Sequence, residues 1–149
     1  MNMIFVCSGN TCRSPMAAKI AAELSKELCP AMEGKFDSAG IATCDGLPAS
    51  DHSIEALAEW GWDLSDHRSK ALQYYMVAYY DRVVCMTEMH KNALVQAFPE
   101  AAEKITVIGE LSGTGRDIPD PYGGSLKQYE HTRDVLKEEI TLILKKYGK

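Results

Sequence analysis

Short unbroken apolar runs alternate along this chain with stretches in which apolar residues return every three or four positions. Met3-Ile4-Phe5-Val6 is the first run and reads as a buried strand. Ser14 then offers a helix N-cap with Pro15 at the first helical position. Ala17, Ile20, Ala21, Leu24 and Leu28 continue at helical spacing and put one apolar stripe against a core. Lys35–Ala39 is a weaker strand ending at Gly40, and Ile54, Leu57 and Ala58 predict a second helix beyond a loop with Gly46 and Pro48. Arg82–Met86 is a third strand, after which Thr87 caps a helix carrying Leu94, Val95 and Phe98. Ile105–Ile108 is a fourth, leading into the Gly- and Pro-rich loop 109–124. Ser125 and Gln128 make a capping box at the head of a long final helix striped by Leu126, Tyr129, Leu136, Ile140, Ile143 and Tyr147. Strands alternating with helices predict a parallel sheet covered on both faces, a single α/β domain over residues 1–149.

Composition narrows the function classes. A chain of 149 residues with 46% hydrophobic and 25% charged residues is globular in make-up. Its net charge of −5, with no basic run beyond Lys145 and Lys146, argues against a nucleic-acid partner. No apolar stretch approaches the ~18 residues of a membrane span. The start MNMIFVC has neither the cationic head nor the apolar length of a signal peptide. Five cysteines, an odd number without a disulfide framework, fit a reducing cytoplasm.

The chemistry concentrates in VCSGNTCRSP, residues 6–15, where the first strand meets the first helix. In open α/β sheets ligands bind beyond the carboxyl ends of the strands. A Gly-containing turn entering a helix aims backbone N–H groups into one concavity, where the helix dipole adds positive potential. Ser8, Gly9, Asn10, Thr11, Cys12, Arg13 and Ser14 are therefore the expected phosphate-binding set, with the planar fork of Arg13 suited to bidentate contact. Cys7 opens this nest, where donors that hold phosphate also favour a thiolate, so it is the candidate in-line nucleophile. The Ser14 hydroxyl is placed to bond the sulfur. An acid for the leaving group is expected from DIPDPYGGS: Asp120, with its chain stiffened by Pro121, is preferred over its rival Asp117.

VCSGNTCRSP resembles the phosphate loop of the low-molecular-weight protein-tyrosine phosphatases. Ser38-Ala39-Gly40, His67-Arg68-Ser69 and Asp120-Pro121-Tyr122-Gly123 resemble three further motifs of that family, in order. The resemblance implies a three-layer α/β/α fold, with a four-stranded parallel sheet of flavodoxin-like topology and no metal or cofactor. It implies Cys7 as nucleophile, Arg13 as phosphate clamp and Asp120 as general acid. It also implies a loop-supporting network of Asn10, Ser14, Ser38 and His67, an aromatic wall at Tyr122, and a reversible Cys7–Cys12 disulfide. The partners implied are phosphorylated proteins, with the chain itself a monomer or weak dimer.

One position departs from the phosphotyrosine enzymes, which usually carry a bulkier aliphatic residue, often isoleucine, where this chain has Thr11. There, and in the run Asp120 to Ser125, it resembles a bacterial branch of the family that removes phosphate from protein arginine. A shorter side chain with a hydroxyl suits a planar polar guanidinium better than a phenyl ring, so phosphoarginine is the expected substrate and phosphotyrosine the alternative. Two other classes compete. A thiol-dependent arsenate reductase shares the fold and a similar loop, but needs a mobile cysteine pair that only Cys85 approaches; an idle phosphoprotein-binding module would lack Cys7, Arg13 or Asp120. Elsewhere Cys29, Cys44 and Cys85 are expected to be structural, His52, His90 and His131 to be surface residues, and Trp60 and Trp62 to pack locally. The tyrosines at 74, 75, 79 and 80 read as amphipathic surface packing.

Overall fold

The computed structural model describes residues 1–148. Four strands, β1 (Met3–Cys7), β2 (Phe36–Gly40), β3 (Arg82–Cys85) and β4 (Ile105–Val107), form one sheet in the order β2-β1-β3-β4, and every pairing is parallel. The chain steps from β1 out to β2, then crosses to the other side of β1 for β3. That reversal opens a crevice at the carboxyl end of β1.

Alternation along the strands divides the core. Met3, Phe5 and Cys7 of β1 and Val84 of β3 face one side, where they meet α1 (Arg13–Leu28), α2 (Asp51–Ala58) and α6 (Leu126–Tyr147). Ile4, Val6, Val83 and Cys85 face the other, packing with α3 (Tyr74–Tyr79) and α4 (Glu88–Ala97). The result is the three-layer α/β/α arrangement that the sequence predicts. Among the described residues no helix is long and apolar enough to cross a membrane.

Several boundaries differ from those read off the pattern. Ile108 does not extend β4: it opens α5 (Ile108–Ser112), because the Glu110 side chain accepts the Val107 N–H at 3.2 Å and turns the chain into a helix. α1 begins at Arg13 behind Cys12, so Ser14 lies inside the first turn instead of capping it; its hydroxyl is engaged elsewhere. The tyrosine cluster contains a helix, α3, that was expected only as surface packing: Tyr74, Tyr75 and Tyr79 are exposed, whereas Tyr80 is buried. Ser50 and Thr87 cap α2 and α4 through their side-chain oxygens, and the Ser125–Gln128 capping box opens α6 as predicted.

Fully buried Glu139 of α6 holds the segment that leads toward Asp120. It accepts hydrogen bonds from the hydroxyls of Thr114 at 2.6 Å and Ser112 at 3.0 Å.

Candidate active site

Loop 8–12 leaves β1 at its carboxyl end and turns into α1. Its carbonyls are drawn outward: those of Cys7 and Ser8 accept the N–H groups of Ile41 and Ala42 at 3.0 Å, and Thr11's accepts Ser50 N–H at 2.9 Å. The Asn10 carbonyl accepts the His67 Nε2–H at 2.7 Å. Among the described residues, the backbone N–H groups of 8–13 make no hydrogen bond within the protein. Carbonyls tied to neighbouring segments and amides without a protein partner leave the loop a row of free N–H donors, an arrangement that favours an anion.

Asn10 holds the turn. Among the described residues it is the one non-glycine with positive φ, at 56°, a conformation that asparagine tolerates better than most residues. Its side-chain carbonyl accepts the Lys70 N–H at 3.0 Å, and its amide donates to Ser14 Oγ at 2.8 Å. Ser14, already accepting, has its own proton left for Cys7 Sγ at 2.9 Å. A chain of bonds thus runs from His67 and Lys70 through Asn10 and Ser14 to the sulfur. Burial holds the His67 imidazole below its ordinary range, so the ring is neutral near pH 7 and donates from Nε2.

The side chains of the expected phosphate-binding set divide into two groups, while among the described residues its backbone amides stay unpaired. The Asn10 and Ser14 side chains are fully buried and turned into the loop, so they brace it and do not border the cavity. Ser38, expected in the loop-supporting network, is 3% exposed, and among the described residues its hydroxyl makes no direct hydrogen bond to the loop. The register explains why, since Ser38 pairs with Phe5, two residues below the strand end where the loop crosses. Gly40 is what the loop requires there. It pairs with Cys7, and a Cβ on it would stand 2.6 Å from the Ser8 carbonyl and 3.1 Å from Asn10 Cβ.

The cavity so formed has a volume of about 250 Å³. Cys7 and Arg13 border it from the protein side, at 3% and 5% exposure. Arg13 is aimed by a hydrogen bond from Nη1 to the Ile118 carbonyl at 3.1 Å, while its Nη2 lies 3.5 Å from Asp120 Oδ2. Asp120 stands at the open rim, steadied by the Tyr122 N–H on Oδ1 at 3.1 Å and by buried Pro121. Exposed Tyr122 forms the outer wall. Ser8, Gly9, Thr11 and Cys12 border the same space, and Thr11 also faces a shallower depression that continues toward Cys44 and Leu47. Asp117 is engaged elsewhere: its Oδ1 accepts the Glu88 N–H at the start of α4.

All five cysteines are free thiols. Cys12 is buried, with Tyr129 OH at 3.3 Å and Ser50 Oγ at 3.5 Å from its sulfur. Burial, then the bond to Cys12, pushes the Tyr129 phenol up to about 12. Cys85 lies in β3 with burial pushing its thiol to about 12, and Cys29 is also buried, whereas Cys44 is exposed. Trp60 and Trp62 pack edge to face, with centroids 5.5 Å apart and away from the cavity.

The sequence reading missed His90, expected on the surface. It is 1% exposed, and its ring reaches Ser8 Oγ at 2.9 Å. The available signal was the spacing Thr87-x-x-His90, which puts the histidine in the first turn of a helix that starts beside the loop.

Residues 2–149 match the family model described as low molecular weight phosphotyrosine protein phosphatase. A protein-arginine-phosphatase of Geobacillus stearothermophilus is 39% identical over 97% of this chain and 94% of its own length. A low molecular weight protein tyrosine phosphatase from T. tengcongensis has a crystal structure with TM-score 0.93 and 41% identity, covering 98% of this chain and 99% of that one. A mutant of the arginine phosphatase YwlE, with a phosphorylated active-site serine, superposes with TM-score 0.95 at 33% identity, over 100% of this chain and 97% of that one. The likeness runs from the first strand through the last helix, in sequence and in backbone alike, and on it the chain belongs to the low molecular weight phosphotyrosine protein phosphatase family.

Proposed function

We propose that this protein phosphatase works through a phosphocysteine at Cys7 and acts on phosphoarginine in proteins. The observation that carries the mechanism is the convergence on one cavity of the Cys7 sulfur, the free loop amides, Arg13 and Asp120. The loop amides and the Arg13 fork hold the phosphoryl oxygens, and the Cys7 thiolate attacks phosphorus in line. As the S–P bond forms, the bond to the leaving nitrogen or oxygen breaks, and the Asp120 carboxyl supplies its proton. Water then attacks phosphocysteine, Asp120 takes the proton, and the sulfur departs with the Ser14 hydroxyl donating to it. A sulfur so solvated is a better leaving group.

Thr11 on the cavity edge supports arginine as the phosphorylated side chain, as do relatives named protein-arginine-phosphatase from two organisms. Phosphotyrosine is the second reading, favoured by the exposed Tyr122 ring at the rim and by the tyrosine phosphatase of T. tengcongensis. No cofactor enters this scheme. A reducing cytoplasm is the setting in which a free Cys7 stays active, and a monomer or weak dimer leaves the rim open to a protein substrate.

The deciding experiment measures kcat/KM side by side on phosphoarginine and phosphotyrosine peptides, in wild type and Thr11→Ile. Wild type is expected to favour phosphoarginine and Thr11→Ile to move toward phosphotyrosine. A wild type that prefers phosphotyrosine, with no shift in the variant, removes the arginine assignment.

A further inference from the structure

The mechanism above uses no group from the β3–α4 junction, yet a buried histidine reaches the loop from there. His90 Nε2 lies 2.9 Å from Ser8 Oγ, and its Nδ1 lies 3.0 Å from Thr87 Oγ1. Thr87 Oγ1 also accepts the His90 backbone N–H at 3.3 Å, as the cap of α4. A hydroxyl that accepts this amide has its own proton free for Nδ1. The ring proton then resides on Nε2 and is donated to Ser8 Oγ. Ser8, accepting that bond, retains its O–H, and Ser8 borders the cavity beside Cys7 and Arg13.

We propose that His90 is a positioning residue that aims the Ser8 hydroxyl as a hydrogen-bond donor at a phosphoryl oxygen held in the Cys7 cavity. The proposal rests on the phosphatase reading of that cavity. An untethered serine hydroxyl samples three rotamers and rotates freely, whereas one fixed from behind is oriented before the phosphoryl group arrives and costs no reorganisation. The direction of the relay is stable because the ring stays neutral. Burial, with the Arg13 charge nearby, pushes His90 down to about 4, and the opposing pull of Asp117 and Asp120 does not offset this. The ring also ties two elements together, since Thr87 caps α4, His90 lies in its first turn and Ser8 belongs to the loop after β1.

The test is a double-variant cycle read on inorganic phosphate binding by calorimetry, with turnover of a phosphoarginine peptide measured in parallel. Ser8→Ala and His90→Leu are each expected to weaken phosphate about tenfold, the value of one hydrogen bond to a charged group. The combined variant is expected to lose no more than either alone. His90→Gln, which keeps an N–H near the Nε2 position, is expected to stay within about twofold of wild type. Additive losses, or a His90→Leu protein that binds phosphate like wild type, overturn the relay; a merely structural histidine would lower the melting temperature without that pattern. Should His90→Leu fail to fold, nitrogen NMR of the imidazole in wild type still decides. A proton on Nε2 with no titration between about pH 5 and 8 is expected, and a proton on Nδ1 overturns the proposal. Phosphate binding without turnover would contradict the phosphatase reading, whereas turnover with phosphate affinity indifferent to Ser8 contradicts the relay alone.

Discussion

Asp117 and Asp120 stand three residues apart, and only their backbone surroundings separate the two. Asp117 spends its oxygen on the Glu88 amide at the head of α4, while Asp120 is turned to the cavity rim across from Arg13. Asp120→Asn is therefore expected to lower kcat by about 10²–10⁴-fold, the usual worth of a positioned general acid. The loss should grow with the pKa of the leaving group in a series of aryl phosphates. Asp117→Asn should leave that dependence unchanged; an equal effect from both substitutions would remove Asp120 from the acid's role. At this scale the sequence was most legible where chemistry fixes spacing: Cys7 and Arg13 bracket the loop, and both border the cavity. It was least legible where a side chain acts through partners distant in sequence. The ring of His90 meets Ser8, 82 positions away, and the local Thr87-x-x-His90 spacing places the histidine in a first helical turn without naming that partner.

Among elements, the end of β2 shows what hydrophobic patterning cannot. Ser38-Ala39-Gly40 was legible as a strand end, but the need for glycine comes from the loop passing over it and from the Lys70 and Leu72 backbone bonds on its other side. Gly40→Ala forces a methyl against the Ser8 carbonyl and should displace the loop while the sheet remains. A loss of more than about tenfold in kcat/KM, with an unchanged far-ultraviolet circular dichroism spectrum, is the expected result. Wild-type activity in this variant would show that the loop tolerates the shift. Strands β1, β3 and β4 and the long helices α1 and α6 were legible because they are largely apolar or several turns long. The helices α3 and α5, of six and five residues, were not, since so short a stretch carries no resolvable period. Ser14 illustrates the same competition, because a serine beside proline reads as a cap until the sulfur of Cys7 claims its hydroxyl.

For the whole molecule, two histidines tie stability to pH. His67 and His90 are both held below the ordinary 6.5, His90 at about 4, with burial the leading cause in each. The unfolded chain takes up protons on them below about pH 6.5 while the folded one resists, so stability is full above that value and falls as pH drops toward 4. Asp37 is held below 3.8, despite its burial, by Lys70, the Ser38 amide and Tyr80, so its loss lies beneath this window. His90 alone withdraws about 2–3 kcal/mol between pH 7 and 4.5. The urea midpoint should fall accordingly, and less so in His90→Gln; a flat midpoint would contradict the buried neutral rings. The central claim concerns the sulfur of Cys7 as the atom that receives the phosphoryl group. The direct measurement is rapid-quench peptide mass spectrometry of the Asp120→Asn protein during turnover of a phosphoarginine peptide. A phosphoryl group on the Cys7 peptide, formed and lost at rates that account for turnover, is the result predicted. Turnover that proceeds with Cys7 never phosphorylated, or that survives in Cys7→Ser at the wild-type rate, would contradict the account.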